Sequence, residues 1–249
     1  MNAAEPTIGQ PIIRLGQTES TNDVARELAR AGVTEGAVVV AEHQTRGRGR
    51  DGRTWASPVG GLWCSVVLRP EDGTALGLLS LAVGVAVGEA VQVAAGVETG
   101  LKWPNDVVVG DRKLAGVLLE TVGRAVVAGI GINVAVERFD GDLARRAVSL
   151  HTLAAGPVTR DAVLDALLER LARWYGVWRT DRSRILDAWR PRDTTAGRRV
   201  VVRVAGRSLE GIAEGIDDDG ALRLRLPDGR AERVLAGSLE SGVSAAPGV

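Results

Sequence analysis

Cysteine occurs once in this chain of 249 residues, and histidine and lysine twice each. A lone Cys64 leaves no partner for an intramolecular disulfide and fits a reducing cytosol, so a cytoplasmic location is expected. His43 and His151, with one thiol, are too few for a Cys/His zinc site. Neither sign of charge is in excess: 31 basic side chains balance 31 acidic ones, which argues against chain-wide polyanion binding and against an acidic tail. The N-terminus, MNAAEPTIGQ, lacks the basic-then-apolar pattern of a signal peptide. The longest uncharged apolar run, GTALGLLSLAVGVAVG, is ended by Glu89 and falls short of the ~20 residues that a bilayer crossing needs. It reads as a buried helix, with no membrane association. Also missing are the GxSxG elbow, the GxxxxGK(S/T) phosphate loop and a GxGxxG fingerprint, since GIGIN at Gly129–Asn133 lacks the helix that should follow.

Apolar residues make up 45% of the chain, enough for a sizeable core, and the length admits a large domain plus a small one. STNDVARELARAG predicts a helix opened by Ser20 or Thr21 and closed by Gly32, with Val24 and Leu28 on one face. GAVVVAEHQ and GLWCSVVLRP read as buried strands, and Cys64 as a core residue within the second. A long, largely buried helix is expected over Gly73–Gly96. After Trp103-Pro104, short β-segments turn at Gly110-Asp111-Arg112 and again at Gly123-Arg124, two successive hairpins that predict antiparallel pairing. VTRDAVLDALLERLARWYGVW is an amphipathic helix with Thr159 as N-cap, and a shorter helix around SRILDAWR is stopped by Pro191. From Arg198 onward, short alternating segments with turn signals at Asp219-Gly220 and Asp228-Gly229 predict a small β-barrel. The fold class is therefore α+β, with a catalytic-size domain over 1–194 and a barrel over 195–249.

Only two of the 31 basic side chains, Lys102 and Lys113, are lysine. Arginine and lysine serve equally on a solvated face but not in a site, where lysine offers a compact point charge and arginine a planar fork. Asparagine is scarce too: beyond Asn2 in the tail, Asn22, Asn105 and Asn133 each fall at an element boundary, where caps and turns also favour this residue. The stretch RGRGRDGRTW interleaves Arg46, Arg48, Arg50 and Arg53 with Gly47, Gly49 and Gly52. Glycines let backbone amides approach an anion and the arginines supply charge, so a phosphate-containing ligand is the natural target. The same composition occurs in RNA-binding RGG tails. Here two strand patterns frame it, which favours an active-site loop.

Taken in order, STN at Ser20–Asn22, Q-x3-GRGRxGRxW over Gln44–Trp55, KWPND at Lys102–Asp106, RKLAG at Arg112–Gly116 and GIGIN resemble the biotin–protein ligases, that is, biotin–[acetyl-CoA-carboxylase] ligases. EGIDDDGALRL resembles that family's C-terminal SH3-like barrel, so the resemblance spans nearly the whole chain. It implies a mixed, largely antiparallel sheet with helices, of the class II aminoacyl-tRNA-synthetase/biotin-ligase type. It further implies activation of biotin with ATP and Mg²⁺ to biotinyl-5′-AMP and transfer to a lysine of a biotin carboxyl carrier domain. By resemblance Ser20, Thr21, Asn22, Gln44, Arg48, Arg50, Lys102 and Gly116 meet biotin. Lys113 either lines that site or steadies the strand that does. Arg48, Gly49, Arg50, Trp55, Lys102, Asn105 and Asn133 meet ATP or the adenylate, and Lys102 and Arg50 are the catalytic pair. The magnesium ligands are unassigned; Asp106 is a candidate that equally suits orienting Lys102 or capping a turn. With STN at residue 20 there is no room for the DNA-binding domain of some members, so a ligase without repressor function is expected, a monomer or weak homodimer that binds no DNA. Two rivals stay open: a lipoate- or octanoate-transferring relative, disfavoured by the Arg/Gly loop followed by KWPND, and an RNA-binding module, which predicts salt-sensitive binding and no use of ATP.

Overall fold

The computed structural model describes residues 7–71, 75–204 and 206–240. Strands β1 (Ile12–Thr18), β2 (Val38–Gln44), β3 (Leu62–Leu68), β4 (Gly100–Lys102), β5 (Asp106–Val109), β6 (Arg112–Val122) and β7 (Ala125–Ile132) form one sheet in the order β1-β2-β3-β7-β6-β5-β4. β1 lies parallel to β2, and the other neighbours are antiparallel. The expected hairpins turn at Gly110 and Gly123, with φ of 58° and 59°, a left-handed conformation that glycine adopts without strain. Two strands go beyond the sequence reading. β1 shows no clean alternation because it is only half-buried, and β4 has three residues, too few for a periodic signal.

The sheet has helices on both faces: α1 (Thr21–Arg30) on one, and α2 (Leu76–Ala95), α4 (Arg160–Thr180) and α5 (Ser183–Trp189) on the other, with a short α3 (Leu143–Arg146) beside β6. Strand alternation sorts the side chains. In β3, Leu62, Cys64, Val66 and Leu68 enter the core with α2, while Val67 meets Ala25 and Ala29 of α1. Both faces are thus covered, which is why β3 is buried along its whole length and is apolar apart from Ser65. Cys64 is buried in the core, as expected. The start expected for α2 at Gly73 lies outside the described residues; the helix ends at Gly96, whose φ is 66°. α2 is long and apolar enough to cross a membrane, yet most of it is buried inside the fold as a core helix. The face that α1 presses on the sheet carries Thr21, Asn22, Ala25 and Ala29, with Val24 and Leu28 half-buried along its border. Close approach to the sheet favours the small alanines at the centre and moves the larger side chains to the flank. Thr159 caps α4 by accepting from the Ala162 N–H at 3.2 Å, an interaction worth about 1 kcal/mol. Pro191 sits in the 3-10 turn that succeeds α5.

The second sheet is antiparallel: β8 (Arg199–Val204), β9 (Arg207–Ile216), β10 (Leu222–Arg225), β11 (Ala231–Val234) and β12 (Ser238–Leu239), in the order β11-β10-β9-β8-β12. Its turns include Gly220 and Gly229 at φ of 84° and 85°. Val202, Ala213, Leu222 and Leu224 belong to the same apolar cluster as α2, so the two sheets share one core.

Candidate active site

α1 covers only part of its face of the large sheet. Beyond its N-terminus the strand residues on that face include Ser65 of β3, Gly129 and Gly131 of β7, and Gly116 and Leu118 of β6, and the glycines border a hollow of about 140 Å³. A Cβ at Gly129 would lie 2.1 Å from Asn22 Oδ1, and one at Gly131 would lie 2.7 Å from the indole nitrogen of Trp55. Gly116, paired with Gly131 across the strands, has the Trp55 ring 2.9 Å from its would-be Cβ. The floor is therefore bare backbone because side chains from elsewhere lie directly upon it.

Ser20, Thr21 and Asn22 are buried at the helix start. Gln44, at the end of β2, accepts from the Thr21 N–H at 2.8 Å and pairs with the Thr21 hydroxyl at 3.0 Å, while its amide donates to Ser57 Oγ at 2.7 Å. Ser65, fully buried, lies 2.8 Å from Thr21 Oγ1 and 2.6 Å from Asn22 Oδ1. The Arg/Gly loop is an ordered hairpin, bridged at Gln44–Ser57 and Arg48–Thr54, with Asp51 and Gly52 at its tip in left-handed conformation. Gly47 is required, since a Cβ there would lie 2.4 Å from Ser57 Oγ. Arg46 points away from the cavity toward Glu19 at 3.2 Å. Arg48, Arg50 and Arg53 line it. Burial lowers the pKa of Arg50, with Asp51 and Asp106 acting against that and Arg53 reinforcing it, but an arginine so shifted stays charged at neutral pH.

The sequence pattern of the biotin/lipoate A/B protein ligase family matches residues 15–137, and that of the biotin protein ligase C-terminal domain matches 195–244. A biotin–[acetyl-CoA-carboxylase] ligase of Paracoccus denitrificans is 38% identical over 228 residues, 87% of this chain and 95% of that protein. The Mycobacterium tuberculosis enzyme of the same name is 40% identical over 235 residues, 90% of this chain and 86% of its own. The chain belongs to the biotin/lipoate A/B protein ligase family. Its fold superposes on the Aquifex aeolicus biotin protein ligase in complex with biotin and ATP with a TM-score of 0.85, at 28% identity, covering 93% of this chain and 98% of that one.

Within this ligase-family fold the two lysines sit on the cavity wall in different states. The ladder between β5 and β6 shifts register between Val107 and Val108, where Leu114 is the extra residue. That bulge turns Lys113 onto the face of Gly116 and Leu118, despite its opposite parity. Its ammonium lies 2.5 Å from Asp106 Oδ1 and 4.8 Å from the centre of the Trp55 ring. Lys102 has no ion pair or side-chain hydrogen bond among the described residues and lines the cavity from the end of β4. The outer edge of β4 is covered by the segment leading into the second sheet: Thr194 N–H donates to Leu101 O at 2.9 Å, and Thr195 Oγ1 accepts from Trp103 N–H at 3.1 Å. The Trp103 indole N–H reaches Gly220 O at 3.0 Å. Gly237, Ser238 and Leu239 complete the wall, so both sheets contribute to the site.

The remaining expected residues divide. Asn105 lines the cavity, with its amide donating to Val117 O. Asn133 is buried behind the wall, where its amide donates to Val148 O at 3.1 Å and Lys113 O at 3.4 Å, tying the end of β7 to the bulge. Glu120, Ser65 and Asp23 escaped the sequence reading; each is an ordinary residue within an element and becomes part of the site only through contacts distant in sequence. Gly129 and Gly131 had a usable signal, two glycines two apart in a strand and hence on one face.

Proposed function

We propose that the chain joins biotin to protein in two steps at this cavity: biotin and ATP give biotinyl-5′-AMP and pyrophosphate, and biotin then passes to a lysine of a biotin carboxyl carrier domain. The supporting observation is the gathering of Ser20–Asn22, Gln44, Arg48, Arg50 and Lys102 from separate stretches of chain around one glycine floor. The relatives of matching length are biotin–[acetyl-CoA-carboxylase] ligases.

In this reading the helix-start polar groups, Gln44 and the backbone at Gly116 hold biotin. In the first step a biotin carboxylate oxygen bonds to the α-phosphorus as the bond to the β-phosphate oxygen breaks. Two anions must meet, and charge grows on the phosphoryl oxygens; fixed cations there stabilise the transition state more than the separated reactants. Lys102, with no direct ion pair among the described residues, is positioned for that task with the half-buried Arg50. The loop bearing Arg48, Gly49 and Arg50 then covers the mixed anhydride against water. In the second step the carrier amine bonds to the biotin carbonyl carbon and AMP leaves. Trp55, whose ring lies over Gly116 and Gly131, packs against the closed ligand, and Asn105 and Asn133 act at the nucleotide through the backbone they hold. For magnesium, no three acidic, histidine or cysteine side chains converge among the described residues, and Asp106, the carboxylate on the wall, is already paired with Lys113. The described residues thus offer no protein cage for the ion.

Incubation with ATP, Mg²⁺ and either biotin or lipoate tests the reading by pyrophosphate release and by isolation of the acyl-adenylate. Biotin is expected to give both, and a biotin carboxyl carrier domain to consume the adenylate. No adenylate from biotin would overturn the proposal, and adenylate from lipoate alone would transfer it to the lipoate branch.

A further inference from the structure

We infer that Glu120 of β6 is a positioning residue that sets two ligand-facing groups at once, Asn22 at the start of α1 and Arg48 in the loop. The inference rests on the reading of the cavity as a biotinyl-adenylate site. Glu120 continues the Gly116–Leu118 face of β6 and stands where that face meets α1. Its Oε2 atom accepts from Asn22 Nδ2 at 2.6 Å and from Arg48 Nη2 at 2.7 Å. Asp23 Oδ1 lies 3.0 Å from the same Arg48 nitrogen and forms a second ion pair with it. Arg26 stands behind, 3.7 Å from Asp23 and 3.9 Å from Glu120, and makes the cluster two acids and two arginines.

The chemistry of the carboxylate is specific here. An ionised carboxylate only accepts, so one side chain can hold an amide NH₂ and a guanidinium together. Asn22 is thereby oriented: its NH₂ faces Glu120, its oxygen faces Ser65, and Ser65 must donate to it. Arg48 is held by Nη2 alone, its buried Nε has no partner, and it remains on the cavity wall. Both donors share Oε2, so a glutamine in place of Glu120 can offer its carbonyl oxygen to both, but as a neutral acceptor, with its NH₂ where Oε1 now lies 3.9 Å from the Arg26 guanidinium. Asn22 keeps its acceptor, while Arg48 loses its ion pair with Glu120 and is held less firmly on the wall.

The test uses the full chain with ATP, Mg²⁺ and biotin, and compares Glu120→Gln, Glu120→Asp, Arg48→Ala and the Glu120→Gln/Arg48→Ala pair. Biotin KM, kcat of adenylation, the rate of adenylate release and the thermal midpoint are read for each. Glu120→Gln is expected to raise biotin KM and speed adenylate release by about tenfold, the scale of one lost charge-assisted hydrogen bond, with a small change in midpoint. In the Arg48→Ala background the same change is expected to add little, because the two residues act through one contact. Glu120→Asp keeps the charge with shorter reach and is expected to fall between; it also serves if the glutamine variant folds poorly. Wild-type KM and release in a folded variant, or additive losses in the pair, would overturn the role of Glu120. Absence of adenylate from the wild-type chain would instead overturn the functional reading.

Discussion

Replacing Gly129 by alanine places a methyl group where Asn22 already sits. The new Cβ would lie 2.1 Å from Asn22 Oδ1, 2.8 Å from its Cγ and 2.9 Å from its Nδ2, all inside relaxed contact. Asn22 is not a flexible end that can swing aside, because it is held by Glu120 and Ser65, each at 2.6 Å. Two routes relieve the clash. The helix start and β7 can separate, an overpacking strain of roughly 1–3 kcal/mol. Alternatively Asn22 can leave its partners, losing one hydrogen bond to a carboxylate and one to a hydroxyl, about 2–4 kcal/mol together. The cheaper route caps the penalty at about 2 kcal/mol, or roughly a 4–8 °C fall in thermal midpoint for a chain of this size. Either route displaces a group that faces the proposed biotin site, so biotin KM is expected to rise at least about tenfold. Calorimetry and pyrophosphate-release kinetics measure both effects, with Gly156→Ala as control, since a Cβ there meets nothing within 4 Å. Adding Asn22→Ala to Gly129→Ala removes the obstruction and is expected to restore much of the midpoint but not the KM. An unchanged midpoint and KM in Gly129→Ala would refute the packing argument.

Lys102→Arg keeps the charge but replaces a compact ammonium with a fork, and is expected to slow adenylation at least about tenfold; near-wild-type rates would remove the case for lysine at this position. Trp103→Phe removes the indole N–H from Gly220 O, leaving a buried carbonyl unpaired, and is expected to lower unfolding stability by roughly 1–3 kcal/mol and adenylation kcat with it. Equal stability by urea titration would show that this link between the two sheets contributes nothing. Burial pushes the Cys64 thiol from 9.0 up to about 12, so the folded state favours the neutral thiol. Its stabilising contribution is complete below pH 9 and is lost as pH rises toward 12, with a slope of up to about 1.4 kcal/mol per pH unit. Cys64→Ala should flatten the fall in stability between about pH 9 and 10.5, and parallel curves for the two proteins would refute the assignment.

Local signals carried much of this fold. The hairpins at Gly110 and Gly123 and the Thr159 cap depend on residues within a few positions of one another, and each appears where turn and cap chemistry put it. β1 was hidden because it is half-buried and its partner is a parallel strand beyond α1, and β4 because three residues carry no period. At the site, the loop arginines and both lysines were visible as departures from the composition around them. Glu120 was not, since it meets Asn22 across 98 positions and looks like any half-exposed strand residue. Ser65 was hidden in the same way within an apolar strand, although its burial makes its hydroxyl the pivot for Thr21 and Asn22.

The rarity of lysine has two physical causes rather than one. Lys113 is confined on several sides: Asp106 accepts its ammonium, the Trp55 ring lies 4.8 Å away, and a Cβ on Gly116 would come within 3.1 Å of its Cε. A guanidinium is broader than an ammonium and has no space between that ring and that carboxylate. Space selects lysine there, and Asp106 neutralises it, so it contributes little net charge to an incoming anion. Lys102 has the opposite setting. It is fixed at its backbone by β5 on one side and the Leu101–Thr194 link on the other, while its side chain at the cavity wall makes no direct ion pair among the described residues and meets only the more distant field of Asp111. In the proposed reaction such a cation on a rigid strand gains a direct partner when the anionic ligand enters. That difference places the electrostatic work of the proposed reaction on Lys102 and leaves Lys113 to hold Trp55 and Asp106 in place around it.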